Sequence, residues 1–335
     1  MGVAVDLTVI WAFIIAFAVF AYVVMDGFDL GIGILFPTLA VGEERDRAMN
    51  SIAPVWDGNE TWLVLGGGGL LAAFPLAYAV LLPATYPLVI AMLLGLVFRG
   101  VAFEFRWRSP RHRPLWDGAF FAGSLIAALS QGMILGALLQ GVAVEGRAYA
   151  GSWWDWLTPY TLLTGLGTIA GYALLGACWL VWKTAGSGQE HAFRMARWAA
   201  VATLALMLGV SLYNLALDPQ YAARWLSMPM LAYAAPVPVA TAALAVLLWR
   251  ALARRAELAP FVLSLGLFLL GMAGLGVTIW PYVVPDQLTI WDAAAPERSQ
   301  IFMLIGVAIT LPPILAYTGW AYWVFRGKVG ADGYH

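Results

Sequence analysis

Ionisable side chains inside long apolar stretches are the residues of this sequence that could do chemistry. Asp26 and Asp29 lie in the first stretch, Asp57 and Glu60 in the second, and Arg99 in the third. A spacing of three residues places both carboxylates of each pair on one helix face. Charged groups inside a membrane are costly, so they usually face a helix bundle or a wet cavity. Carboxylates gathered in such an interior can pass protons, and the pattern indicates a proton-entry route.

The same residues also allow a structural interpretation. Arg99 paired with Asp29 or Asp57 would form a buried ion pair that fixes helix register or a subunit contact. Spacing alone favours neither interpretation. The candidates for proton uptake are Asp57, Asp29, Glu60 and Asp117, and those for a structural ion-pair group are Arg99, Asp26 and Glu104. Glu104 is the weakest member, because it lies about 140° around the helix from Arg99 and is expected on another face or at the surface.

The amino-acid composition indicates that the chain lies in a membrane. Hydrophobic residues make up 62% of the chain and charged residues 11%, against roughly 45–50% and 25% in soluble globular proteins. A water-soluble protein is therefore excluded. The net charge of −1 excludes a nucleic-acid-binding function that depends on neutralising phosphates.

Nine apolar runs are long enough to cross a bilayer as helices, since a hydrocarbon core about 30 Å thick needs about 20 residues. They cover approximately 8–36, 50–74, 79–106, 116–141, 158–183, 192–217, 229–252, 259–283 and 299–325. The fold class is therefore an all-α integral membrane protein with nine transmembrane helices. The first run has no basic segment before it and is predicted to be a retained helix.

The basic residues orient these helices. Fourteen of the 18 Lys and Arg residues fall in alternate connections, the opposite connections hold three, and Arg99 lies within a predicted helix. Because basic loops favour the cytoplasmic side, the amino terminus is predicted outside and the carboxyl terminus inside. With this orientation, the charged groups of the first four helices all fall in the inner half of the membrane, which is the central prediction for the site.

Metal and thiol chemistry find little support in the sequence. The single cysteine, Cys178, lies in an apolar run, so no intrachain disulfide or cysteine-based metal site is predicted. The three histidines, His112, His191 and His335, fall in inner loops or at the terminus. No histidine is predicted within a span to ligate haem, copper or iron.

Three segments resemble one family of membrane proteins. They are MDGFDLGIGILFP at 25–37, NSIAPVWDGNETWLVLGGGGLLAAFP at 50–75, and LVFRGVAFEFR at 96–106. These segments are similar to subunit II of cytochrome bd-type quinol oxidases, including the cyanide-insensitive branch. The resemblance implies two four-helix bundles plus a peripheral helix, predicted here as 1–145, 146–290 and 291–335.

The resemblance also implies a function shared with a partner. In that family, subunit I carries haem b and haem d and oxidises ubiquinol near the outer face, while subunit II supports it. Protons for reducing oxygen to water come from the cytoplasm, which makes the reaction electrogenic without a pump. The carboxylate of Asp57, in the block at 56–60, resembles one assigned to proton uptake at the subunit interface. Small single-helix accessory subunits, a structural quinone and a bacterial inner-membrane location are further expectations.

Two other functions are compatible with the charge pattern. Buried carboxylates near an arginine also suit a proton-coupled secondary transporter, although the bias of charge toward one side of the membrane disfavours it. The other is a purely structural membrane subunit in which the charges only join helices.

Overall fold

The structure is a computed structural model that describes residues 6–330. Helices make up most of it, with bounds α1 Leu7–Leu35, α2 Glu43–Ile52, α3 Trp56–Ala73, α4 Pro75–Arg108, α5 Arg113–Gln140, α6 Pro159–Lys183, α7 Gly186–Leu217, α8 Pro219–Leu226, α9 Met230–Ala234, α10 Pro236–Ala253, α11 Ala259–Ile279, α12 Ile290–Ala293 and α13 Glu297–Val324. Two antiparallel hairpins connect helices, β1 Val144–Glu145 with β2 Ala148–Tyr149, and β3 Tyr282–Val284 with β4 Leu288–Thr289.

The helix boundaries follow local sequence signals. Asp6 caps α1, because its carboxylate accepts hydrogen bonds from the backbone N–H groups of Thr8 and Val9. Thr158 caps α6 in a reciprocal capping box with Thr161. Proline occupies the first turn of α4, α5, α6, α8, α10 and α11, where its missing N–H leaves no hydrogen bond unmade.

The predicted apolar runs correspond closely to these helices. Eight helical segments of the described chain are long and apolar enough to cross a membrane. The predicted run 50–74 differs, because it becomes the end of α2, a turn that contains Pro54, and the 18-residue α3. Asp57, Glu60 and four consecutive glycines lower the hydropathy of α3, which is not among these eight segments.

Glycines allow the central helices to approach closely. A methyl group at Gly31 of α1 would overlap the backbone carbonyl of Tyr172 in α6, and one at Gly176 would meet the backbone of Gly31. Gly95 of α4 and Gly123 of α5 face each other in the same way. Backbone contact of this kind is a common means of packing helices in lipid.

The two predicted bundles share one core. The largest cluster of buried apolar residues includes Phe28 and Leu30 of α1, Phe120 of α5, and Leu174 and Trp179 of α6. Helix α6, the first of the predicted second bundle, thus packs against α1 and α5 of the first. The predicted boundary at residue 145 separates helices by their order in the chain, whereas the buried core is continuous across it.

Helix α13 lies on the outside of the bundle. Gln300 is its only buried residue, and the hydroxyl of Tyr322 donates a hydrogen bond to Asn59 Oδ1 of α3 at 2.8 Å. The predicted third segment, 291–335, contains this helix. Its last five residues lie outside the described part of the chain.

Candidate functional site

A fully buried ion cluster joins side chains of α1 and α4. Arg99 Nη1 is 2.7 Å from Asp26 Oδ1, and Arg99 Nη2 is 3.8 Å from Asp29 Oδ2. All three side chains have no exposed surface. The spacing of three residues in α1 puts both carboxylates on the face that meets Arg99, as the sequence predicts. The ion pair of Arg99 with Asp26 was among the predicted structural pairs.

Helix α3 adds a neutral polar group to this cluster. Asn59 is buried, and its Nδ2 donates a hydrogen bond to Asp29 Oδ2 at 2.8 Å. Its Oδ1 accepts the bond from Tyr322. Two consecutive hydrogen bonds therefore connect the peripheral α13 through α3 to α1.

Charge rather than directed hydrogen bonding holds the centre of the cluster. Both oxygens of Asp26, Oδ1 of Asp29 and the three guanidinium nitrogens of Arg99 make no hydrogen bond of regular geometry with the described residues. The guanidinium of Arg99 also lies over the ring of Trp56, 5.9 Å from its centroid. These buried donors and acceptors keep unused hydrogen-bonding capacity, which is unusual for buried polar groups.

Glu60 joins the cluster to the protein surface. One carboxylate oxygen, Oε2, is 3.9 Å from Arg99 Nη1, while 29% of the side chain is exposed. Asp57 lies almost one turn earlier in α3 and is exposed. The prediction that both carboxylates point into the bundle is thus wrong for Asp57, because the α3 register buries Asn59 and turns Asp57 outward. The suggested pairing of Arg99 with Asp57 is likewise not formed.

Asp117 belongs to a separate network nearer the helix ends. Its Oδ2 accepts a hydrogen bond from Arg45 Nη1 at 2.7 Å, and its Oδ1 accepts one from Arg106 Nε at 2.5 Å. Arg106 Nη1 also bonds to Asp46 at 2.6 Å. Arg106 lies seven residues from Arg99, or roughly 10 Å along α4. The structure therefore places the predicted proton-uptake residues in two layers.

Glu104 takes part in neither layer. Its side chain is 61% exposed, and its nearest cation is Arg108, one turn on in the same helix, at 3.8 Å. The grouping of Glu104 with Arg99 and Asp26 is therefore wrong, although its position on another face of the helix was expected. Glu104 is five residues after Arg99, a spacing that places its side chain on a different face of α4, away from the Arg99 pocket.

A second chain of polar groups lies between α1, α5 and α6. The hydroxyl of Tyr172 donates to Gln131 Oε1 at 2.6 Å, and Gln131 Nε2 donates to the hydroxyl of Tyr22 at 2.7 Å. Tyr22 precedes Asp26 by one turn on the same face of α1. This chain links α6 and α5 to the helix that carries the buried carboxylates.

Sequence reasoning missed Asn59, Tyr322, Gln131, Tyr22 and Tyr172. All are uncharged, so a search for ionisable groups in apolar runs passes over them. Asn59 and Gln131 carried a usable signal, because an amide within an apolar span also requires a polar partner. The tyrosines carried none, since tyrosine is common at helix ends and in cores.

The described histidines do not offer an interior haem ligand. His112 is exposed in the short connection between α4 and α5. His191 lies in the first turns of α7, with Nε2 3.2 Å from Thr38 Oγ1 and Nδ1 3.2 Å from Arg194. Neither side chain points into the helix bundle, and His335 is outside the described residues. The fold and the cluster define a helical, multi-pass membrane protein with buried ionisable groups.

The family follows from comparison with known proteins. The model of the family "Cytochrome bd terminal oxidase subunit II" matches residues 7–325. This chain belongs to that family.

Relatives and a solved structure agree with this assignment. The chain is 31% identical to cytochrome bd-I ubiquinol oxidase subunit 2 of Escherichia coli K12, covering 96% of this chain and 94% of the relative. It is 27% identical to cytochrome bd ubiquinol oxidase subunit 2 of Bacillus subtilis, covering 96% of each. A chain of the bd oxidase from Geobacillus thermodenitrificans has the same fold, with a TM-score of 0.78 at 20% identity over 95% of this chain and 98% of that one.

Proposed function

We propose that this chain is the haem-free supporting subunit of a quinol:oxygen oxidoreductase and supplies protons to the oxygen-reducing centre of its partner. The partner is a subunit I that carries haem b and haem d and oxidises ubiquinol. The chain lies in the bacterial inner membrane, with α3 as one of nine spans, the amino terminus outside and the carboxyl terminus inside. Proton uptake from the inside, without pumping, makes the reaction electrogenic.

The exposed face of α3 is the proposed docking surface for subunit I. Asp57, Thr61, Val64 and Leu71 are exposed along it. A methyl group added at Gly58, Gly67 or Gly68 would meet no atom within 4 Å. These glycines let another helix approach α3 closely in lipid. A carboxylate on such a face needs a polar environment, which a partner with a proton-conducting interface would provide.

The position of Glu60 is the observation that supports the proposed proton route. It is the carboxylate that combines partial exposure on α3 with proximity to Arg99. We place proton entry at Asp57 and transfer along the interface at Glu60. Asp29 and the Arg99–Asp26 pair form the buried charge behind it. Because the two oxygens of Asp117 each accept a hydrogen bond from an arginine, we assign Asp117 to stabilising the inner end, beside the route.

The test is Asp57→Asn in the complex purified with its partner. The substitution removes an exchangeable proton but keeps the shape and the exposed position of the side chain. We expect quinol-driven oxygen consumption to fall by about tenfold or more, a modest share of the 10²–10⁴ that a positioned proton-transfer group contributes. Haem absorbance and the yield of the partner should stay near those of the unaltered complex.

Glu104→Gln is the matched control, because Glu104 is an exposed carboxylate of α4 outside the cluster. Its oxygen consumption should be unchanged. If Asp57→Asn lowers the amount of assembled complex but leaves the rate per haem normal, the residue is structural and the proton route is wrong.

A further inference from the structure

An apolar groove runs between α7 and α10 on the surface of the helix bundle, away from the ion cluster. It has a volume of about 340 Å³. Ala200 and Leu204 line it from α7, and Ala245, Val246 and Leu248 line it from α10. Arg250 lies at one end of the groove. The walls are otherwise aliphatic or aromatic, so the groove combines an apolar trough with a cationic end.

The cationic end holds several arginines without a carboxylate partner. Arg250 and Arg254 are one turn apart and exposed, and neither forms an ion pair or a side-chain hydrogen bond with the described residues. The nearby acidic side chains are already engaged, since Glu190 pairs with Arg255 and Glu257 pairs with Lys328. An anion at this end would therefore meet uncompensated positive charge.

Arg197 of α7 lies near the same end of the groove as Arg250. Its Nη2 donates a hydrogen bond to the backbone carbonyl of Leu252 at 3.3 Å, which places it level with the last turn of α10. The turn after α10 also uses the carbonyls of Arg250 and Ala251 as acceptors. The negative end of the helix is thus partly neutralised, which lowers the repulsion that an anion would meet there.

Two tryptophans mark the same level. Trp198 follows Arg197 in α7, and Trp249 precedes Arg250 in α10. Their side chains are 72% and 51% exposed. Indoles prefer the headgroup layer of a membrane, so the arginines are at the depth of lipid phosphates and the groove is at the depth of acyl chains.

We propose that this groove binds an anionic phospholipid, with its phosphate on Arg250 and Arg254 and one acyl chain in the trough. Basic pockets between helices on the inner side of a membrane are suited to acidic headgroups. The proposal rests on the proposed membrane location of the chain, with this end of α10 on the inner side. It does not depend on the proposed proton route.

The experiment is native mass spectrometry of the complex, released from vesicles containing equal amounts of phosphatidylglycerol and phosphatidylcholine. We expect one phosphatidylglycerol to stay bound in preference to phosphatidylcholine. Arg250→Gln should lower this preference about fivefold, the equivalent of roughly 1 kcal/mol for one arginine near the membrane surface. Ala245→Phe keeps the arginines but fills the trough, so it should also release the lipid.

Arg147→Gln is the matched control, because Arg147 is an exposed arginine in the turn between β1 and β2. It should retain phosphatidylglycerol like the unaltered complex. Equal retention of the two lipids, or retention unaffected by both groove variants, overturns the proposal. Binding of inorganic phosphate to Arg250 with no lipid retained also overturns it, because the trough would then have no role.

Discussion

Arg99 is the residue on which the buried site depends. It has no exposed surface and lies between two equally buried carboxylates from α1. A guanidinium is always charged in a protein, so it keeps a compensating negative charge beside it. Asp26, at 2.7 Å, is the closer partner, and Asp29 is shared with Asn59.

Replacing Arg99 with Met should destabilise the protein strongly. The methionine fills similar volume but leaves Asp26 and Asp29 without their cation, and breaking a buried pair in this way costs about 3–5 kcal/mol. We expect a lower yield and a lower midpoint of thermal unfolding in detergent. Arg108→Met is the control, since the Arg108 side chain is 79% exposed. Equal stability of the two variants would contradict a central role for Arg99.

The sequence predicts part of this site for a clear physical reason. A charged residue in an apolar span must find a partner, and the spacing of Asp26 and Asp29 identifies the face on which they do so. The outward position of Asp57 was not predictable, because spacing gives the angle between two side chains but not the direction that the whole helix turns. The uncharged partners Asn59 and Tyr322 were not predicted, because a search for charged residues in apolar runs does not select uncharged side chains.

At the scale of elements, close approach of α1 and α6 organises the core. Gly31 of α1 lies against the backbone of α6, where an added methyl group would overlap the carbonyl of Tyr172. Backbone cannot move aside as a flexible side chain can. The crossing of these helices therefore depends on a residue without a Cβ atom.

Gly31→Ala should destabilise the protein by about 1–3 kcal/mol, the usual cost of forcing extra volume into a packed interior. The thermal unfolding midpoint of the purified complex measures the effect. Gly306→Ala in α13 is the matched control, because no atom lies within 4 Å of the added methyl group. That variant should be neutral or slightly stabilising, since alanine favours helix over glycine. An unchanged midpoint for Gly31→Ala would show that the helices can separate without cost.

Glu257 attaches the segment that follows α13 to the rest of the helix bundle. The Glu257 carboxylate accepts hydrogen bonds from Lys328 Nζ at 2.6 Å and from Gln189 Nε2 at 2.9 Å. The bond from Lys328, followed by that from Gln189, lowers the pKa of Glu257 below its ordinary value. The backbone N–H of Val329 also donates to the carbonyl of Lys183 at 2.9 Å.

Attachment of this segment should weaken in acid. A carboxylate whose pKa is lowered by folding stabilises the folded state above its unfolded pKa, and this contribution is lost as the pH falls through the folded pKa. Protection of the Val329 amide from hydrogen exchange, corrected for the intrinsic rate, should therefore decrease below about pH 4.3, the ordinary glutamate value. Glu257→Gln should show lower protection and no such pH dependence. Pronounced loss of protection in that variant at low pH would assign the change to another group.

The sequence anticipates the elements well, but it does not indicate which helices pack against each other. Apolar runs of about 20 residues identify the long helices because lipid requires every backbone polar group to be bonded within a helix. The run at 50–74 was drawn too simply, since a turn that contains Pro54 separates α2 from α3, and the run at 229–252 is likewise divided into α9 and α10. That α6 packs on α1 across the predicted boundary depends on contacts between glycines 145 residues apart, which hydropathy does not register.

At the scale of the whole molecule, the proposed division of labour predicts where haem absorbance is found. A tag on this chain should recover a second membrane polypeptide together with haem absorbance. The chain produced without its partner should show none, because neither His112 nor His191 faces the interior of the described structure. Visible spectroscopy of both preparations makes the comparison. Stoichiometric haem on the isolated chain would contradict the proposed division.

The burial of Arg99 between Asp26 and Asp29 has a consequence for biogenesis. The ribosome delivers α1 first, so both acids reach the lipid before the arginine that balances them has been synthesised. On insertion scales, an unpaired charge at the centre of a helix costs about 2.5–3.5 kcal/mol. We therefore expect the translocon to hold α1 at its lateral exit until α4 arrives, so that the two helices partition into the bilayer together.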